Sequence, residues 1–186
     1  MRLFVAITLN DNVRSILTDV QARLKPKSSG VRWVAPALLH LTVKFLGDVP
    51  DATVPKASSA VERAASSCSP FEFGLSRCGC FPGGGRVRVV WIGGDGAPDG
   101  LAYCVESVES ELESAGYPRE TRRFSPHITL GRVREDRSGG DLRSLVEACT
   151  FKPTSQRVRS LTLMSSVLSP QGPTYTPVCE AAFGGE

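Results

Sequence analysis

LLHLTVKFLG, residues 38–47, and FSPHITLGR, residues 124–132, hold the only two histidines of a 186-residue chain. In each, a threonine follows the histidine at i+2, with one apolar residue between and another after. Short apolar alternations of this kind read as strands, and along a strand residues i and i+2 share a face, about 6–7 Å apart. Leu39, Leu41, Val43 and Phe45 are expected to face a core, with His40, Thr42 and Lys44 opposite. In the second stretch Ile128 and Leu130 face the core, with His127 and Thr129 opposite. A lone histidine on a strand is usually structural. With threonine usage near one in twenty, both histidines gaining Thr at i+2 by chance is of the order of a few in a thousand.

The surroundings also repeat. Each stretch is announced by Arg-aromatic and then Pro: Arg32-Trp33 to Pro36, and Arg123-Phe124 to Pro126. RLFVAITL, residues 2–9, reads as a buried strand, and Val13, Ile16, Leu17, Val20 and Leu24 mark a helix behind the caps Asn10 and Asp11. VRWV, 31–34, is a short extended piece before the strand 38–46. In the second half a strand over 86–92 precedes a helix marked by Leu101, Val105, Val108 and Leu112, and then the second histidine stretch. The histidines lie 87 residues apart (127 − 40). A single domain over 1–186 is expected, with an internal duplication relating roughly 1–50 and 86–135. Between and after these come a weaker helix through Val54, Ala57, Val61, Ala64 and Ala65, and an extended run over 71–81. A helix over 141–148 follows, then strands over 157–168 and 175–182 with SPQGPT as the turn. The fold class is α+β: two pseudo-symmetric lobes, each a mainly antiparallel sheet with helices outside, facing each other across a cleft.

Composition bounds the function. Hydrophobic residues at 41% and charged residues at 22% are those of an ordinary globular protein, and a net charge of +3 is too mild for bulk nucleic-acid binding. A local basic cleft is compatible with it. Six cysteines (Cys68, Cys78, Cys80, Cys104, Cys149, Cys179) are expected to be reduced, mostly buried thiols in a cytoplasmic protein. MRLFVAITLNDN is not a secretory signal, since Asn10 and Asp11 break its apolar run. Cys78-Gly-Cys80 lacks zinc-pair spacing, and no apolar stretch reaches the ~20 residues of a membrane span. The expectation is a monomer with no metal and no cofactor.

Two imidazoles and two hydroxyls meeting in one cleft suit a phosphodiester. One histidine can take a proton from water or a ribose hydroxyl while the other protonates the leaving oxygen. The threonines can donate to the non-bridging oxygens.

Twin H-[LI]-T-[VL] elements in this context resemble the 2H phosphoesterase superfamily, and within it the RNA 2′,3′-cyclic phosphodiesterases, also called 2′-5′ RNA ligases. The resemblance extends to MRLFVAI, RWV, HLTVKFLGDV, CFPGGGRVRVVWIG, RRFSPHITLGRV and SSVLSPQGPTY, nearly the whole chain. It implies hydrolysis of a terminal 2′,3′-cyclic phosphate to a 2′-phosphomonoester. It also implies His40 as proton donor to the leaving O3′, His127 as the proton acceptor that activates water, and Thr42 and Thr129 as phosphate contacts. The partner is RNA with 2′,3′-cyclic phosphate ends, tRNA fragments among them, or a small cyclic nucleotide.

Arg132 matches a basic residue that follows the second motif in the family. Strand parity argues against it, since it alternates with Ile128 and Leu130, whereas a bulge at Gly131 would re-aim it; both stay open. Lys44 is expected at a solvated rim, Phe45 in the core, Trp33 and Phe124 in packing, and Tyr175 at the cleft border. Arg122 and Arg123 either steer RNA or form a solvated pair. The alternatives are 2′-5′ ligation, which water at ~55 M opposes unless two ends are held together, an activity on cyclic nucleotides or 2′-5′ oligonucleotides, and a non-catalytic RNA-end-binding module.

Overall fold

The computed structural model describes residues 1–134, 142–170 and 172–185. The RLFVAIT run forms strand β1 (Arg2–Thr8), with Leu3–Ile7 all buried because both faces are covered. It pairs antiparallel with β3 (His40–Asp48) on one edge and with β9 (Ser160–Ser169) on the other, and β10 (Gly172–Ala182) lies outside β9. The second half is built on β7 (Ile128–Val133), which pairs with β6 (Val89–Gly93); β5 (Arg77–Phe81) lies outside β6, and β2 (Val31–Trp33) joins the other edge of β7. Among the described residues the halves form one continuous antiparallel sheet, joined by the Leu41–Ile128 pair of β3 and β7 and by the short β2–β7 ladder.

Several expected bounds change. The extended run 71–81 is two strands: β4 (Phe71–Leu75), which leaves to form a separate ribbon with β8 (Thr154–Val158), and β5. Likewise 157–168 is broken at Arg159, whose carbonyl accepts from Phe183 N, so β8 and β9 enter different sheets. The start of the expected helix at Asp141, most of the loop 134–140 and Gln171 of the SPQGPT turn lie outside the described residues. None of the described helices is long and apolar enough to cross a membrane.

Helix α1 (Asp11–Leu24) starts as predicted at Asn10, whose side chain accepts from Val13 N at 2.8 Å. Helix α2 (Val54–Ser66) lies on β9, β10 and helix α3 (Asp99–Ser114), and α4 (Leu142–Glu147) lies on β5. The helix that follows each half's first strand reaches the other half's histidine strand. Gln21 of α1, fully buried, donates to Leu130 O of β7 at 2.9 Å and to Val34 O at 2.8 Å. Glu109 of α3 pairs with Lys44 of β3 at 2.5 Å.

Lys44 is thus not at the rim: its side chain is 3% exposed. Taking two charges out of water is tolerable only where their remaining groups are also satisfied. Here Lys44 Nζ also donates to Pro118 O at 2.8 Å, and Glu109 Oε2 also accepts from Glu120 N at 3.1 Å. The pair ties β3, α3 and the segment leading to His127 into one network. Lys44→Met, which strands the Glu109 carboxylate, is expected to destabilise the fold by about 3–5 kcal/mol in urea denaturation, whereas Lys44→Met with Glu109→Leu recovers most of that loss.

Candidate active site

The register around each histidine departs from regular alternation at the same place. In β3, Ala6 pairs with Thr42 and Val5 with Lys44, so Val43 is an extra residue in the ladder. In β7, Trp91 pairs with Thr129 and Val90 with Gly131, so Leu130 is extra. A β-bulge at the third residue after each histidine reverses the parity beyond it. Leu41–Leu46 and Ile128–Val133 accordingly share one burial sequence: buried, half-buried, buried, buried, exposed, half-buried. Upstream of the bulges His40, Thr42, His127 and Thr129 share the cleft face, as predicted. Downstream, Lys44 and Gly131 turn to the helix side, while Phe45 and Arg132 turn into the cleft.

This corrects the expectation for Phe45, which is 62% exposed, and resolves the open question of Arg132 in favour of the cleft. The bulge is at Leu130 and not at Gly131. Gly131 has a separate role: a Cβ there would stand 2.6 Å from Val31 Cγ1, so only glycine lets β2 lie this close.

The Leu41–Ile128 pair carries the two histidine strands past each other. In antiparallel register its neighbours set His40 across from Thr129, and Thr42 across from His127. Each imidazole makes the same bond to its own chain: His40 Nδ1 to Leu38 O and His127 Nδ1 to Ser125 O, both 2.7 Å. A carbonyl only accepts, so Nδ1 carries the hydrogen and Nε2 is the nitrogen of each ring left free of that bond.

A family model described as LigT-like phosphoesterase matches residues 7–91 and 93–175. The chain belongs to the LigT-like phosphoesterases. Among its relatives, the RNA 2′,3′-cyclic phosphodiesterase of Methanothermobacter thermautotrophicus is 33% identical, covering 95% of both chains, and that of Thermotoga maritima is 31% identical, covering 100% of this chain and 97% of the other. The crystal structure of a Thermus thermophilus protein superposes with a TM-score of 0.82 at 30% identity over all of both chains. That of Escherichia coli LigT complexed with 3′-AMP gives 0.78 at 30% identity, over 98% of this chain and 97% of the other.

In this LigT-like phosphoesterase each imidazole is walled by aromatics. Phe4 lies 4.9 Å from the His40 ring and Tyr175 5.3 Å, edge-on; Phe81 stands edge-on to His127 at 4.9 Å and stacks on Trp91. Trp91 in turn lies over Gly79, where a Cβ would fall within 2.3 Å of the indole. Tyr175 therefore borders the cleft as expected, whereas Phe4, Phe81 and Trp91 were not singled out from the sequence. The run Leu3–Ile7 hides the alternation that aims Phe4, and Phe81 reaches His127 only through the β5–β6–β7 register. Trp33 and Phe124 pack against the core, and Arg122 and Arg123 are exposed. Among the described residues no three His, Cys, Asp or Glu side chains are grouped to hold a metal ion.

Burial holds both imidazoles below the ordinary histidine range; the carbonyl bonds at Leu38 and Ser125 oppose this, and the Arg132 charge adds to it. Burial likewise raises the Tyr175 phenol, with Arg132 and Arg2 opposing. The folded protein therefore binds protons at the two histidines less readily than the unfolded chain. Their contribution to stability falls as pH drops through about 6.5 towards the folded values. In a ring-proton NMR titration both histidines are expected to titrate below 6.5, and Arg132→Gln is expected to raise both midpoints, since it removes a cation whose charge acts on both.

Proposed function

We propose that the protein hydrolyses 2′,3′-cyclic phosphate ends of RNA to 2′-phosphomonoesters, with His40 and His127 as its proton-transfer pair. The observation that carries this reading is the matched Nδ1–H···O=C bond at the two histidines, which gives the cleft two Nε2 atoms of like tautomer on either side of the strand junction. A phosphodiester needs one proton removed and one delivered, on opposite sides of phosphorus.

His127 Nε2, on the more open of the two rings, takes a proton from water. The water oxygen attacks phosphorus, the P–O3′ bond breaks, and O3′ takes the proton of His40. The products are a 2′-phosphate and a free 3′-hydroxyl. His40 must begin protonated although burial disfavours it, and the negative phosphate supplies the counter-charge that reverses that bias on binding. Thr42 and Thr129 donate to the non-bridging oxygens, and Arg132 offers a planar fork to the same phosphate. Phe45, exposed on the same face and 6.0 Å from the Phe4 ring, offers a surface for a base. We also read the chain as one domain in which roughly 1–50 and 86–135 are duplicates; the shared burial sequence and the two matched segments support this.

The test is an oligoribonucleotide ending in 2′,3′-cyclic phosphate, incubated with the protein in EDTA, with the phosphate position of the product determined. A 2′-phosphate product is expected, with His40→Ala and His127→Ala each slower by at least ~100-fold and RNA affinity largely kept. Turnover that survives either substitution would reject the paired mechanism.

A further inference from the structure

Arg32 stands where no part of the proposed reaction requires it. In the β2–β7 ladder it is the direct partner of Arg132, with Trp33 paired to Gly131 and Val31 to Val133. Direct partners on antiparallel strands point to the same face, about 5 Å apart at Cβ. Arg32 therefore faces the cleft beside Arg132, while Val31 and Trp33 pack against the core on the side of the buried Gly131. The contact at Gly131 agrees: an added Cβ meets Val31 and Trp33 and not the Arg32 side chain.

Its other side is bounded by the first half of the molecule. Gly172, the first residue of β10, lies so close that an added Cβ would stand 2.9 Å from Arg32 Nη2. The guanidinium is thus held, half-buried, between β7 of one half and the start of β10 of the other. Two like charges opposite each other on a ladder repel, and among the described residues no carboxylate or carbonyl pairs with the Arg32 side chain. A cation placed this way is complemented by an anion entering the cleft.

We propose that Arg32 forms a second phosphate subsite, which takes the phosphodiester on the 5′ side of the terminal nucleotide while Arg132 faces the cyclic phosphate. The inference rests on the hydrolase reading above for the location of the reactive phosphate. A planar guanidinium binds a phosphate through two parallel N–H bonds. One strand spacing from Arg132, it meets the next phosphate of the same chain and not the one being opened. A nucleoside 2′,3′-cyclic phosphate without a 5′-phosphate cannot fill this position. The cleft is therefore built for an RNA end in preference to a small cyclic nucleoside phosphate.

The test compares kcat/KM on a 5′-phosphorylated nucleoside 2′,3′-cyclic phosphate and on the same compound without the 5′-phosphate, for wild type, Arg32→Gln and Arg32→Lys. Calorimetric binding of adenosine 2′,5′-bisphosphate against adenosine 2′-monophosphate is measured alongside. Wild type is expected to favour the 5′-phosphorylated member of each pair by about tenfold or more, as for one charge-assisted phosphate contact. Arg32→Gln is expected to abolish that preference and leave the unphosphorylated member unchanged, and Arg32→Lys to keep part of it, which also serves if the Gln variant does not fold. Equal loss on both members, or no preference in the wild type, would overturn the subsite. Failure to hydrolyse either compound would reject the hydrolase reading, while the binding comparison would still decide the role of Arg32.

Discussion

The two β-bulges at Val43 and Leu130 are the constraint on which the site depends. Without them, Phe45 and Arg132 would alternate with Leu41 and Ile128 and point into the helices. A bulge leaves backbone groups that the regular ladder no longer serves, and inside a protein these must find partners. The Leu130 carbonyl accepts both from Val34 N and from the buried amide of Gln21. In β3 the residue after the bulge is Lys44, whose ammonium is buried in the Glu109–Pro118 network. Each break in the ladder is thus backed by a buried polar side chain on a helix.

Those backing groups come from the other half. Gln21 belongs to the helix after β1 but holds β7, and Glu109 belongs to the helix after β6 but holds β3. Among the described residues the β-sheet itself joins the halves only through the Leu41–Ile128 pair and the short β2–β7 ladder, so their relative placement is secured by this exchange of helices as well as by those few pairs. A phosphate bridging two imidazoles demands a fixed separation between them. The swapped helices make that separation depend on buried hydrogen-bonded contacts behind the cleft, which also tie down the segments around Val34 and Pro118.

The electrostatics follow from the same geometry. Walling His40 and His127 with Phe4, Tyr175 and Phe81, and setting Arg132 beside them, leaves both imidazoles less basic than in water. The cleft disfavours further positive charge and favours an anion. A chain of net charge only +3 sets Arg132 beside both histidines.

The strand and helix pattern, the paired His-x-Thr faces and the phosphodiester chemistry were legible in the sequence because each rests on a short-range regularity: a period of 2 or 3.6, a cap, an i+2 spacing. Asn10 capped its helix, and Leu41 and Ile128 faced the core as the alternation required. Phe45 and Lys44 were misplaced for one reason, since a period of 2 holds only while the ladder is regular and one inserted residue exchanges the faces beyond it. Whether a ladder is regular depends on the partner strand and on what waits behind it, here Ala6 and Val5, and Trp91 and Val90. The histidines and threonines could be picked out from their spacing alone. Which of Lys44, Phe45 and Arg132 enters the cleft could not, because register is a property of two strands and a sequence shows them one at a time.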